Sequence, residues 1–199
     1  GDLLETNGYD MTDFLTPLTG AAFTNLWLAY LLLPLYGTLV GGDLVAKEAE
    51  DGTLRMILAR PISRVRLLLL KWTAGAVFSL SLTLALGLSG LLLGLTVFPW
   101  GGLFVFVPGD LFGVFGAGEG LLRYSGAHLL MAAKAVTVMG LAFFFGCFPI
   151  KPAAATILAL SFIFLNFILM NIPWFADLKP WFLTYHLNLW QRVYEQPIA

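Results

Sequence analysis

The chain has 199 residues, of which 59% are apolar, 15% aromatic and 12% charged, with a net charge of −1 and a mean hydropathy of +0.85. That balance excludes a disordered chain, which needs few apolar residues and a high net charge, and it argues against a soluble domain, because a chain this short cannot bury so much apolar surface against itself. One cysteine, Cys147, leaves no disulfide framework and no cysteine-rich metal site.

Residues 1–19 carry four acids and no Lys or Arg. No charged residue lies between Phe14 and Gly42, and since a span needs roughly 20 apolar residues, this run predicts a first membrane helix at about 20–42. Positions 43–71 then hold ten of the 23 charged residues. Trp72 to Gly109 is charge-free for 38 residues, but Pro99, Gly101-Gly102 and Pro108 punctuate its second half. It reads as one span at about 72–97 followed by an apolar segment, 98–125, whose Phe104, Phe106, Phe112 and Phe115 suit an interfacial loop. Spans three and four are expected at about 126–148 and 152–172. The prolines on both sides of Lys151 stop a continuous helix between them. The tail, 173–199, reads as short amphipathic helices. The fold class is an all-α polytopic membrane bundle of about four spanning helices.

Lysine and arginine set the expected orientation. Lys47, Arg55, Arg60, Arg64, Arg66, Lys71 and Lys151 oppose only Arg123, Lys179 and Arg192. The excess predicts that 43–71 is cytoplasmic, that 1–19, 98–125 and 173–199 are outer segments, and that both chain ends lie outside. Trp72, Trp100 and Trp174 fall at the boundaries, where indole rings belong. Further helices before Gly1 and after Ala199 would return both termini to the cytoplasm, so the chain is expected to be the middle four helices of six.

Residues 43–71 carry the most information. Asp51-Gly52 is a turn signal. Thr53 is a cap residue for a short helix from Leu54 to about Arg60, and Pro61 ends it. Such a helix is about 12 Å long, too short to span. Leu54, Ile57 and Leu58 share one face, and Ser63 suits the cap of the next long helix. A loop whose cations meet lipid phosphates is one reading. Asp43, Glu48, Glu50 and Asp51, which nearly cancel the cations of its first half, favour a protein partner.

The order Glu48, Gly52-Thr53-Leu54-Arg55, Leu58-Ala59-Arg60-Pro61-Ile62-Ser63-Arg64 and Lys71 covers 24 positions and resembles the signature of ABC-2 type transporter permeases. Elsewhere the similarity is one of layout. The resemblance implies the membrane subunit of an ATP-driven transporter of a bacterial inner membrane, in the sense of export. It implies pairing with a second permease copy, identical or related, and with two cytoplasmic ABC ATPase subunits. It also implies that 43–71 forms a coupling helix seated in an ATPase groove, with Glu48, Gly52, Thr53, Leu54, Arg55, Arg60, Pro61 and Arg64 shaping or seating it.

The chain itself has no phosphate-cradling lysine: Lys47, Lys71, Lys134, Lys151 and Lys179 are followed by Glu, Trp, Ala, Pro and Pro. ATP is therefore expected on the partner ATPase. No catalytic, metal or cofactor residue is expected here, and membrane lipid rather than nucleic acid is the surrounding partner. Lys134 lies inside the third span, where a cation costs roughly 2.5–3.5 kcal/mol on insertion scales. It either snorkels outward along its stem or serves as a pathway or dimer contact. His128 and Asn166 are the other pathway or helix-contact residues, with Asn25 and Asn171 expected to bond neighbouring helices. Gly87, Gly90 and Gly94 allow close helix approach, and Cys147 reads as a small packing residue.

Two alternatives belong to other classes. Glu50-Asp51-(x3)-Arg55 faintly resembles the Glu-Glu-(x3)-Arg pattern of CAAX-type membrane proteases, but the accompanying His-(x3)-Asn/Asp is missing. A membrane scaffold without transport is the other.

Overall fold

The computed structural model describes residues 15–59, 63–107 and 111–195. Arg60 and Pro61, and the side chains of Arg55, Ile57 and Leu58, lie outside that description. Helix α1 runs Pro17–Glu50 and the short α2 Thr53–Leu58. Helix α3 runs Arg64–Val97. Strands β1 (Leu103–Val107) and β2 (Leu111–Phe115) pair antiparallel, Leu103 opposite Phe115. Helices α4 (Ala117–Gly146) and α5 (Pro152–Asn171) follow. The tail is a 3₁₀ segment Pro173–Trp181, helix α6 (Leu183–Leu187) and a second 3₁₀ segment Leu189–Tyr194.

Four of the described helices are long and apolar enough to cross a membrane, and the chain is an all-α polytopic membrane bundle. Helices α1 and α3 each have 34 residues, about 51 Å at 1.5 Å per residue, against a hydrocarbon core of about 30 Å. The excess length carries charge. Asp43, Lys47, Glu48 and Glu50 occupy the last turns of α1, and Arg64, Arg66 and Lys71 the first turns of α3. The charged segment is thus two projecting helix ends joined by an elbow, not a loop hung between spans.

The interfacial loop expected over 98–125 is replaced by a hairpin and the start of α4. Leu103 and Val105 are buried while Phe106 is half exposed, the period-two alternation of a strand with one covered face. Helix α4 begins at Ala117, and its first turns are held by the i,i+4 pair Glu119–Arg123 at 2.9 Å.

Chain contacts divide the molecule into two units, each containing parts of α1, α3 and α4. The hairpin unit comprises the described parts of 1–29, 84–131 and 189–199. Its core is Leu18, Ala21, Ala22 and Leu26 of α1, Leu103, Val105 and Phe115 of the hairpin, Ala127 and Met131 of α4, and Trp190 and Tyr194 of the tail. Thr16 caps α1, its hydroxyl accepting from Thr19 N at 3.2 Å, and the Thr19 hydroxyl accepts from Phe104 N of β1 at 2.9 Å.

The elbow unit comprises 30–83 and 132–188. Val45, Ala76, Met139 and Phe143 form its central cluster. A Cβ on Gly41 would overlap the Met139 carbonyl, so the closest approach of α1 to α4 requires glycine there. Helix α5 is tied to α1 by the Thr156 hydroxyl, which donates to Thr38 O at 3.3 Å.

Candidate functional site

The elbow is built from one stop, one turn and one cap. Helix α1 ends where Asp51 N donates to Lys47 O at 2.9 Å and Gly52 N to Ala49 O at 3.4 Å. Gly52 has φ +75°, the left-handed conformation that glycine adopts at no steric cost after a helix end. Ser63 opens α3, its hydroxyl accepting from Arg66 N at 3.3 Å.

Thr53 departs from its expected role. It is the first residue of α2, and its hydroxyl donates backward to Glu48 O at 3.3 Å. It ties α2 to the end of α1 and does not cap α2. Helix α2 has six residues, about 9 Å, shorter than the stretch from Leu54 to Arg60 that the sequence implied.

Lys71 closes the elbow. From the second turn of α3 its Nζ donates to Leu44 O of α1 at 2.6 Å and ion-pairs with Glu48 Oε1. The Lys71 side chain is 13% exposed and that of Glu48 34%, so the pair is partly withdrawn from water. A hydrogen bond to a charged group contributes about 1.5–3 kcal/mol, enough to hold two helix ends in register. Leu54 faces this tie. It is half-buried and lines a small cavity of about 270 Å³ with Val45, Arg64, Leu67, Lys71 and Cys147. Met56, 68% exposed, is the described apolar residue that α2 presents outward. Of the residues expected to shape or seat this helix, Leu54 lies against the elbow, and Met56 is left outside.

Beside the elbow, Asp43, Lys47, Glu50, Asp51 and Lys151 line a cleft of about 480 Å³ with Thr156. Acids and bases alternate there, the mixed-charge surface that suits a protein partner. Among the described residues no three His, Cys, Asp or Glu side chains are gathered to hold a metal ion. Cys147, read as a packing residue, is exposed. Partial burial still pushes its thiol above the ordinary range.

The polar residues inside the spans separate by unit. In the hairpin unit, Asn25 Nδ2 donates to Tyr124 OH at 2.9 Å, and that hydroxyl donates to Gly87 O at 2.8 Å. One neutral chain of hydrogen bonds therefore joins α1, α4 and α3. His128 is buried, its Nδ1 is 2.9 Å from Tyr124 O, and its ring lies where a Cβ on Gly87 would sit. In the elbow unit, Lys134 is buried, donates to Asn188 Oδ1 at 3.2 Å and stands 5.1 Å over the Tyr30 ring. The Lys134 side chain is thus buried against the tail and not exposed on the outside of the bundle. The Asn166 amide donates to Phe162 O of its own helix, and Asn171 does likewise to Phe167 O.

A family model described as "ABC-2 family transporter protein" matches residues 5–185. "Uncharacterized protein YhcI" of Bacillus subtilis (strain 168) is 33% identical over 95 residues, which are 48% of this chain and 28% of that protein. The match thus spans under a third of that relative's length. No solved structure matches the chain.

Proposed function

Because the chain belongs to the ABC-2 transporter family, we propose that it is a permease subunit whose elbow receives the movement of a partner ATPase and passes it to the spanning helices. The observation that carries this reading is the cross-tie of Lys71 to Leu44 O and Glu48. Two helix ends that project beyond the bilayer and are stapled together move as a rigid body, so a displacement applied at α2 reaches α1 and α3 undiminished. A loop without that staple would absorb it.

The cation excess of 43–71 and Lys151 supports a cytoplasmic elbow under the positive-inside rule, with 98–125 and 173–199 as outer segments and both chain ends outside. ATP is bound by the partner, and two ATPases serve a pair of permeases, a second copy of this chain or a related half. The direction is export across a bacterial inner membrane. In the resting elbow Glu48, Gly52, Thr53, Leu54 and Arg64 hold the shape. Arg55, Arg60 and Pro61 complete the segment that enters the ATPase groove, with Met56 as its apolar contact.

Co-expression with a candidate ABC ATPase from the same genome tests this reading. Met56→Asp is expected to abolish co-purification of the ATPase. Lys71→Met is expected to keep co-purification while the permease-dependent part of ATP hydrolysis falls severalfold. Unchanged co-purification and unchanged hydrolysis in both variants would refute the coupling role.

A further inference from the structure

The elbow unit contains a cavity of about 540 Å³ between α1, α4, α5 and α6, within the size range of small-molecule sites. Its walls are chiefly apolar: Leu31, Leu35, Leu160, Phe164, Phe167 and Leu187. Its polar lining includes Lys134, Thr184 and Asn188, and Asn188, bonded to Lys134, lies one helical turn after Thr184, whose carbonyl accepts from Asn188 N at 3.1 Å. Lys134 is 6% exposed and spends one of its three N–H donors on Asn188. No described acidic side chain pairs with it. Thr184, 5% exposed, lines the same cavity, and its hydroxyl has no hydrogen-bond partner.

A buried cation without a counter-ion and an unsatisfied buried hydroxyl are each costly in an apolar setting. The Tyr30 ring offers the cation only a weak substitute, worth about 0.5–2 kcal/mol. An ionisable residue kept among apolar spanning helices is by default a candidate functional group, and here it lines the same cavity as the unsatisfied hydroxyl.

We propose that this cavity binds an amphiphile with one anionic headgroup, a carboxylate or a phosphate. The headgroup accepts from Lys134 Nζ and the Thr184 hydroxyl, and the apolar body lies along Leu31, Phe164 and Phe167. Leu31 is 70% and Phe164 64% exposed, so the apolar wall is open on the side by which a molecule dissolved in lipid would enter. Charge complementarity selects the occupant: a neutral amphiphile leaves Lys134 unpaired, and a free anion leaves the apolar wall uncovered. Nothing at this cavity depends on how the elbow meets an ATPase.

Binding of radiolabelled dodecyl phosphate to the full chain in phosphatidylcholine nanodiscs tests the site, with laurate, dodecanol and inorganic phosphate as competitors. Laurate is expected to compete, with dodecanol and inorganic phosphate at least about tenfold weaker, a difference of about 1.4 kcal/mol. Lys134→Gln is expected to lose about tenfold in affinity, and Lys134→Arg to retain most of it. Equal competition by dodecanol and laurate would overturn the proposal, as would competition by inorganic phosphate alone or wild-type binding by Lys134→Gln. If Lys134→Gln does not fold, Thr184→Val and the competitor ranking on the wild-type chain decide. Phe164→Cys on a Cys147→Ala background reports the remaining occupant. Complete disulfide cross-linking between copies, with no saturable probe binding, would assign the face to a second copy and overturn the proposal.

Discussion

The hairpin unit and the elbow unit solve the same problem with different chemistry. Both must hold polar groups among apolar helices. In the hairpin unit the polar groups within the spans are neutral and matched: the Asn25 amide meets the Tyr124 hydroxyl, which meets the Gly87 carbonyl. At its edge Arg123 donates to Val193 O and Glu195 O and lies 4.1 Å over the Phe115 ring. The elbow unit has neutral, matched groups too, such as Thr156 on Thr38 O, but it also holds two incompletely matched charged groups. Lys71 spans two helices to reach Glu48, whose Oε2 is buried without a partner, and Lys134 has only neutral company. Matched neutral bonds fix a packing arrangement. Partly matched charges keep bonding capacity to spare, at the elbow and in the cavity.

Breaking the elbow's staple has the largest expected effect. Lys71→Met leaves Glu48 and Leu44 O without their cationic donor, and stability falls by about 2–3 kcal/mol, read as thermal unfolding in detergent. Tyr124→Phe makes the corresponding break in the hairpin unit. It removes the side-chain donor to the Gly87 carbonyl and the acceptor of the Asn25 amide, costs about 1–2 kcal/mol, and leaves ATPase coupling intact. If instead Tyr124→Phe uncoupled and Lys71→Met did not, the division of labour between the units would be reversed.

Gly52→Ala is expected to cost about 1 kcal/mol by forcing a Cβ into a positive-φ turn, with Gly52→Asn milder. Glu119→Gln, which removes one exposed i,i+4 pair, is expected to change stability by no more than about 0.5 kcal/mol. Cys147 sharpens the comparison without breaking anything. The thiolate is the reactive form, and burial raises the thiol's pKa, so labelling by a membrane-impermeant maleimide should be slow at neutral pH and accelerate as pH rises. It should occur only from the side that carries the elbow, measured in inverted against right-side-out vesicles.

The sequence made local features legible. The charge-free run before Asp43 and the first 26 residues of the run after Lys71 lie almost wholly in long helices, because lipid admits little else. Gly52 and Ser63 act as turn and cap because their roles depend on neighbours three or four residues away. Pro149 and Pro152 flank the break between α4 and α5 for the same reason. What stayed hidden was long-range. Lys134 finds Tyr30 and Asn188, and Lys71 finds Leu44, partners that no spacing rule specifies. Thr53 looked like a cap because threonine usually is one, yet the nearby Glu48 carbonyl takes its proton. The hairpin was visible in principle: Leu103–Val107 is a short apolar run rich in β-branched and aromatic residues, and it precedes Pro108-Gly109-Asp110. Its glycines and prolines read more strongly as loop punctuation.

Photo-cross-linking tests the central claim most directly. A photoreactive amino acid placed at Met56 of α2, or at Phe106 of the hairpin, both exposed, is irradiated in membranes that contain the co-expressed ATPase. An ATPase adduct is expected from position 56 and none from position 106. An adduct from 106 with none from 56 would contradict it.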